Sequence, residues 1–331
     1  MKTTPRDNML AALRCEQPAD CVPVWELEFQ AWDNASGKHL ILGQEFTMLS
    51  SKEQEAAISA NAEIMMEVCE KLSFSALSLV GSYWETAPGH PSYYWLPEEW
   101  KSKQNKLLIR YCKQAGIASV GVAGALISMP DSSENYMEYC YRLFDDPESI
   151  DQIAKERYEY GVEAAEKLRD MGMDIIVSAS DIADNKGPFY SPEQMRRWFY
   201  PYLHKWAEEI NKLGMYSILH TDGDISSLIE DLANSPLNAV QAIDPVAGMD
   251  IKKTKEQAAG RLCLCGNIET GLLVTGPKEK IYQSARQILT DCKAGGGLVL
   301  GASNASVPET PAENYMQIIE AWKKYGMYGE R

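Results

Sequence analysis

Eight short apolar runs, each followed by a polar loop and a longer amphipathic stretch, most tightly limit what this chain can fold into. The runs are Val22–Phe29, Ala76–Val80, Ala118–Leu126, Asp174–Ser180, Tyr216–His220, Ala239–Ile243, Arg261–Cys265 and Gly297–Gly301. Each is rich in Val, Ile, Leu or Ala and bounded by Gly, Pro, Asp or Ser. Near-continuous apolar runs of this length suit strands buried on both faces of a parallel sheet. Helix starts are readable between them. Thr4–Pro5–Arg6–Asp7 places a cap before a proline at the first helical position. Ser191–Pro192–Glu193–Gln194 and Thr310–Pro311–Ala312–Glu313 fit the capping box, and Gly276–Pro277–Lys278–Glu279 is a weaker version. Gly172, Gly214 and Gly295 follow helical stretches, where a left-handed terminal residue is wanted. Strand and helix alternating eight times predict a (β/α)8 TIM barrel with an N-terminal helix.

The length, 331 residues, would by itself suggest about two domains, but such barrels run past 250 residues as one unit. A single domain over residues 1–331 is therefore expected. The stretch Tyr83–Gln104, aromatic and carrying three prolines after the second run, is read as an excursion over the barrel mouth.

Charge narrows the function. Lys and Arg total 32 against 47 Asp and Glu, a formal charge of −15. Phosphate recognition needs a basic face, so nucleic acid is a poor partner for this chain. Polyanionic substrates and anionic lipid surfaces are disfavoured for the same reason. No apolar run approaches the roughly 18 residues of a membrane span. The opening MKTTPRDNMLAAL reads as a helix start and not as an export signal, so a cytoplasmic protein is expected. The 8 cysteines are then read as free thiols or metal ligands rather than a disulfide frame.

Barrel active sites lie where the strands end, which turns the run list into a site list. Glu26 and Glu28 end the first run. Asp181 ends the fourth, with Asp184 beyond it. His220 and Asp222 end the fifth, Asp244 the sixth, Cys265 and Asn267 the seventh, and Asn304 the eighth. Period-two alternation puts His220 and Asp222 on one side of an extended segment. That suits two ligands of one metal, or an imidazole oriented by a carboxylate. The plainer alternative is a buried histidine bonded to Asp222 or Asp224. Cys265 shares a face with Cys263. It either completes a His/Asp/Cys ligand set or fills the core as a small apolar residue. Glu26 and Glu28 also share a face. They point either into the pocket or toward the helices, paired there with Lys or Arg.

Several segments together resemble the uroporphyrinogen decarboxylase-like proteins. They are TPRDNMLAALRCEQPADCVPVW, SDIADNKGPFYSPEQMRRWFYPYLHKW, ILHTDGD, LCGNIETGLLVTG and GGGLVLGASN followed by PETPAENYMQ. The resemblance spans nearly the whole chain and implies the same barrel fold. True uroporphyrinogen decarboxylases carry an Arg-rich segment after the first strand, to hold the many carboxylates of the porphyrinogen. Here that stretch is ELEFQAWDNASG, with no Arg. The other branch contains corrinoid-dependent methyltransferases. Its thiol-methylating members bind zinc through His-x-Cys after the fifth strand and a Cys after the eighth. The positions here are His220, Asp222 and Asn304. Only the histidine is kept, which points away from thiol substrates.

The resemblance therefore implies methyl transfer from a small donor, such as a methyl ether, to the cobalt of a corrinoid carried by a partner protein, with zinc assistance. The expected metal ligands are His220, Cys265 and Glu28. Asp181, Asp222 and Asn304 are assigned to the chemistry. Glu26, Trp25, Tyr83, Trp84, Asp244 and Asn267 are assigned to substrate binding. A decarboxylase of a porphyrinogen or smaller acid and a non-catalytic ligand-binding barrel are the alternatives. The oligomeric state is left open.

Overall fold

The computed structural model describes residues 3–79, 96–130 and 133–329. Among the described residues, seven strands form one parallel sheet in sequence order. They are β1 (Ala76–Ser78), β2 (Ala118–Val122), β3 (Ile175–Ala179), β4 (Tyr216–Thr221), β5 (Ala239–Ala242), β6 (Cys263–Ile268) and β7 (Leu298–Ala302). Helices lie between them, including Pro147–Met171, Tyr200–Lys212 and Lys278–Cys292. The seven strands match the second to eighth apolar runs.

The first run departs from expectation, because Val22–Phe29 contains no regular strand. Val24 instead makes single parallel bridges to Phe74, just before β1, and to Leu300 in β7. Trp25 donates its N–H to the Leu300 carbonyl at 3.0 Å, and Leu300 donates to Pro23 at 2.9 Å. Both edge strands of the sheet are thus joined through this segment. Pro23, with no N–H of its own, cannot sustain a ladder there.

Side chains alternate between two cores. Val120, Ile175, Val177, Ile218, Ala239, Cys263, Cys265 and Val299 point inward, together with Trp25 and Leu27. Leu77, Ile176, Leu219, Val240, Leu264 and Leu298 pack outward against the helices. Burial on both faces is why the runs are apolar throughout. The N-terminal helix Pro5–Leu13 adds Met9, Leu10, Ala12 and Leu13 to the inner core. It sits where the strands begin. Arg6 pairs with Asp174, just before β3, at 2.7 Å, and its N–H bonds to Gly116, just before β2. The opposite end, where the strands finish, is left for chemistry.

The capping boxes at Thr4 and Ser191 are both formed. The one expected at Thr310 is not: the helix Ala312–Tyr325 starts after Pro311, with no side-chain cap bond. The excursion also ends earlier than expected. The helix Glu98–Ala115 already runs through Gln104, which is fully buried. Among the described residues, no helix is long and apolar enough to cross a membrane. All eight cysteines are free thiols.

Candidate metal centre

Asp181, His220 and Asp222 converge at the ends of β3 and β4. One ligand atom from each lies within 4.8 Å of the other two. The backbone explains the convergence. β3 and β4 pair in register, with Ala179 opposite His220, and the Ser180 N–H donates to the His220 carbonyl at 2.9 Å. Ile218 points inward, so the alternation carries His220 inward as well. Its side chain is completely buried, whereas that of Asp181 is 38% exposed, so the group opens toward solvent on the aspartate side.

Each aspartate is held. The Asp181 carboxylate accepts the Asp222 N–H at 3.0 Å, and its carbonyl accepts the Met129 N–H at 2.7 Å. Asp222 Oδ2 accepts from the Asn304 amide at 2.6 Å. Gly223 then turns the chain with φ +87°. A Cβ there would lie 2.5 Å from the Ala183 carbonyl oxygen, so only glycine fits the turn. The Gly223 N–H donates to Asp244 at 3.3 Å, bringing a third carboxylate to the group.

Electrostatics follow from this crowding. Burial pushes the Asp222 carboxyl up to about 6 and the negative charges of Asp181 and Asp244 add to the shift, while His220 and the Asn304 bond act in the opposite sense. His220 Nε2 lies 3.9 Å from Asp181 Oδ1. Its Nδ1 bonds to the side-chain oxygen of Gln241.

The other expected site residues fall elsewhere. Cys265 is in the inner core beside Cys263 and is not part of the Asp181, His220 and Asp222 group. Glu28 is also outside the group and accepts from Gln30 at 3.0 Å. Glu26 does not face the inner core of the sheet. Trp25 and Leu27 take the inner positions, and the Glu26 carboxyl turns toward the last helix. There it accepts from the Tyr315 hydroxyl at 2.6 Å and from the Ala302 N–H at 3.1 Å. Burial raises the Glu26 carboxyl to about 8 despite both bonds. Among the described residues its partners are not Lys or Arg, because the helical layer here offers a phenol. Trp25 packs in the inner core, with its indole N–H on the Ser78 hydroxyl at 3.0 Å. Asn267 is nearly buried and donates to the Ile243 carbonyl at 2.8 Å. Tyr83 and Trp84 lie outside the described residues.

Sequence reading missed Gln241. Its one signal was being the only polar residue in the run AVQAI. Strand pairing sets it directly opposite His220.

Comparison with known proteins identifies the class. The family model described as uroporphyrinogen decarboxylase (URO-D) matches residues 117–325, more than half of the chain. This chain belongs to the uroporphyrinogen decarboxylase family. It is 26% identical over 166 residues to a uroporphyrinogen decarboxylase of Coxiella burnetii, covering 48% of this chain and 43% of that protein. It is 26% identical over 137 residues to that of Anaeromyxobacter dehalogenans, covering 40% and 37%. The match thus spans less than half the length of these curated relatives. A methyltransferase from Methanosarcina mazei has the same fold, with a TM-score of 0.69 at 20% identity, over 98% of this chain and 99% of that one.

Proposed function

We propose that this chain is a methyltransferase. In this reading it moves a methyl group from a small uncharged donor, such as a methyl ether, to the cobalt of a corrinoid presented by a separate carrier protein. One observation carries the reading. The acids that the structure gathers with His220 are carboxylates: Asp181 and Asp222 beside it, and Asp244, which accepts from the Gly223 N–H. Such a site repels a polycarboxylate and suits a neutral donor. Among the described residues, no cysteine belongs to the convergent group. The fold shared with the Methanosarcina mazei methyltransferase accords with the reading, although at 20% identity it speaks only for the fold. The same reading takes Val22–Phe29 as the eighth stave of a (β/α)8 barrel, on the strength of the two bridges made by Val24.

One imidazole and two carboxylates are a donor set that Zn²⁺ accepts, and their spacing fits a single ion. Asp181, His220 and Asp222 would hold it. A bound cation supplies Lewis acidity at the donor oxygen, where the departing alkoxide is otherwise a poor leaving group. The protein's own part is to hold that geometry. Asn304 fixes one oxygen of Asp222, and the backbone around Met129 fixes Asp181. Asp181 forms the open rim through which the donor enters.

The test mixes the purified protein with a reduced corrinoid carrier and a panel of methoxylated aromatics and related ethers. Loss of the Co(I) absorbance with at least one donor is expected. An unchanged spectrum across the panel overturns the proposal. The second reading, a decarboxylase, is favoured by the family match over residues 117–325. Release of CO2 from a panel of small carboxylic acids, with no change in Co(I), would select it.

A further inference from the structure

We infer that Gln241 is a positioning residue that makes His220 a metal ligand. It fixes the imidazole as the Nδ1–H tautomer and so turns the Nε2 lone pair toward Asp181 and Asp222. The inference rests on the metal reading above and extends it to a residue with no charge and no place in that ligand set.

The argument is one of forced donors and acceptors. His220 in β4 and Gln241 in β5 are register partners, and both are buried, with exposures of 0% and 1%. One terminal atom of the Gln241 side chain lies 3.2 Å from the Ala302 carbonyl oxygen and 3.1 Å from that of Ser303. A carbonyl oxygen can only accept, so this atom must be the amide nitrogen. The other terminal atom is then the amide oxygen, and it bonds to His220 Nδ1. That oxygen also only accepts, so Nδ1 must carry the hydrogen. Flipping the amide would set an oxygen against two carbonyl oxygens and is excluded by the same reasoning. A neutral imidazole has one N–H, so its lone pair is on Nε2, the atom 3.9 Å from Asp181 Oδ1. A metal-bound histidine needs this arrangement, neutral and with the second nitrogen anchored.

A carboxylate in place of Gln241 would also fix the tautomer, but it would add a negative charge to a site already crowded with them. The amide orients the ring without that charge. The end of β7 and the loop after it serve both ligands. Ala302 and Ser303 anchor Gln241, which orients His220, and Asn304 orients Asp222.

The experiment reads the tautomer and the metal separately from turnover. The chain has only 4 histidines, so ring-nitrogen NMR of 15N-histidine-labelled apoprotein can be assigned by His220→Ala. The wild type is expected to show His220 protonated at Nδ1 and bare at Nε2. Gln241→Leu should lose that single state and bind Zn²⁺ about 10- to 100-fold more weakly in a chelator competition. Gln241→Glu, which keeps an oxygen on Nδ1, should restore the Nδ1–H signature. Wild-type protein with a proton on Nε2, as either tautomer or imidazolium, overturns the inference whether or not the variants fold. So does a folded Gln241→Leu protein with unchanged tautomer or Zn²⁺ affinity. None of these measurements uses a methyl donor, so failure here is distinct from failure of the methyl-transfer test.

Discussion

The side-chain amide of Asn304 donates to Oδ2 of Asp222 at 2.6 Å, tying the loop after β7 to the loop after β4 across 82 residues of sequence. This bond holds one of the three convergent donors in place. Asn304→Ala is expected to weaken Zn²⁺ binding about tenfold, as loss of a ligand's supporting hydrogen bond does. The bond also draws the Asp222 carboxyl down, so its loss should leave that group easier to protonate. Chelator competition on the folded variant checks the affinity, and an unchanged value would show that Asn304 is a bystander.

Metal content should separate the trio from the cysteine. Asp181→Asn and His220→Ala are each expected to abolish stoichiometric zinc in protein purified with the metal. Cys265→Ala should retain it, because that thiol packs in the inner core beside Cys263. Elemental analysis reads all three, and loss of zinc in the cysteine variant would put a sulfur back among the ligands.

Glu26 should make stability depend on pH. Burial raises its carboxyl from 4.5 to about 8. The folded chain therefore keeps the proton after the unfolded chain has released it. Stability from this group is fully present below about 4.5 and is lost as pH rises toward about 8. Glu26→Gln removes the titration. Urea unfolding at pH 5 and pH 8 should show wild type losing more stability than the variant across that interval. Equal losses would mean that Glu26 is ionised throughout.

Gly301 should tolerate no side chain. A Cβ there would lie 2.1 Å from the Trp25 carbonyl oxygen, where the bridging segment crosses β7. Backbone cannot yield as a side chain can, so Gly301→Ala is expected to cost at least the ~1–3 kcal/mol of core overpacking. Chemical denaturation measures it. A loss below about 0.5 kcal/mol, the range of a neutral surface change, would show that the segment is free to move.

The parallel sheet was legible because each of its strands is buried on two sides, which leaves a continuous apolar run. The convergence of His220 and Asp222 was legible because alternation along one extended segment is a local rule. Asp181 was visible as a strand end, although its distance to His220 was not. The same local rule failed at Glu26. It predicts that Glu26 and Glu28 share a face but not which face turns inward. Pro23 and the single bridges of Val24 break the ladder that would have decided it. Cys265 does share the inner face of its strand, yet it is not part of the donor group: its register partner is Gln241, whose strand separates it from His220.

What the sequence by itself determined is the layering of the fold: which runs are buried on both faces, where helices begin, and which residues stand at the strand ends. Only the tertiary structure decided which of those residues meet. Gln241 reaches His220 across a strand pair and the Ala302 and Ser303 carbonyls from more than sixty residues away. Local patterning records whether a side chain is wet or dry. The partner of a buried polar atom is set by sheet register and by the chain's return, and those are properties of the closed fold.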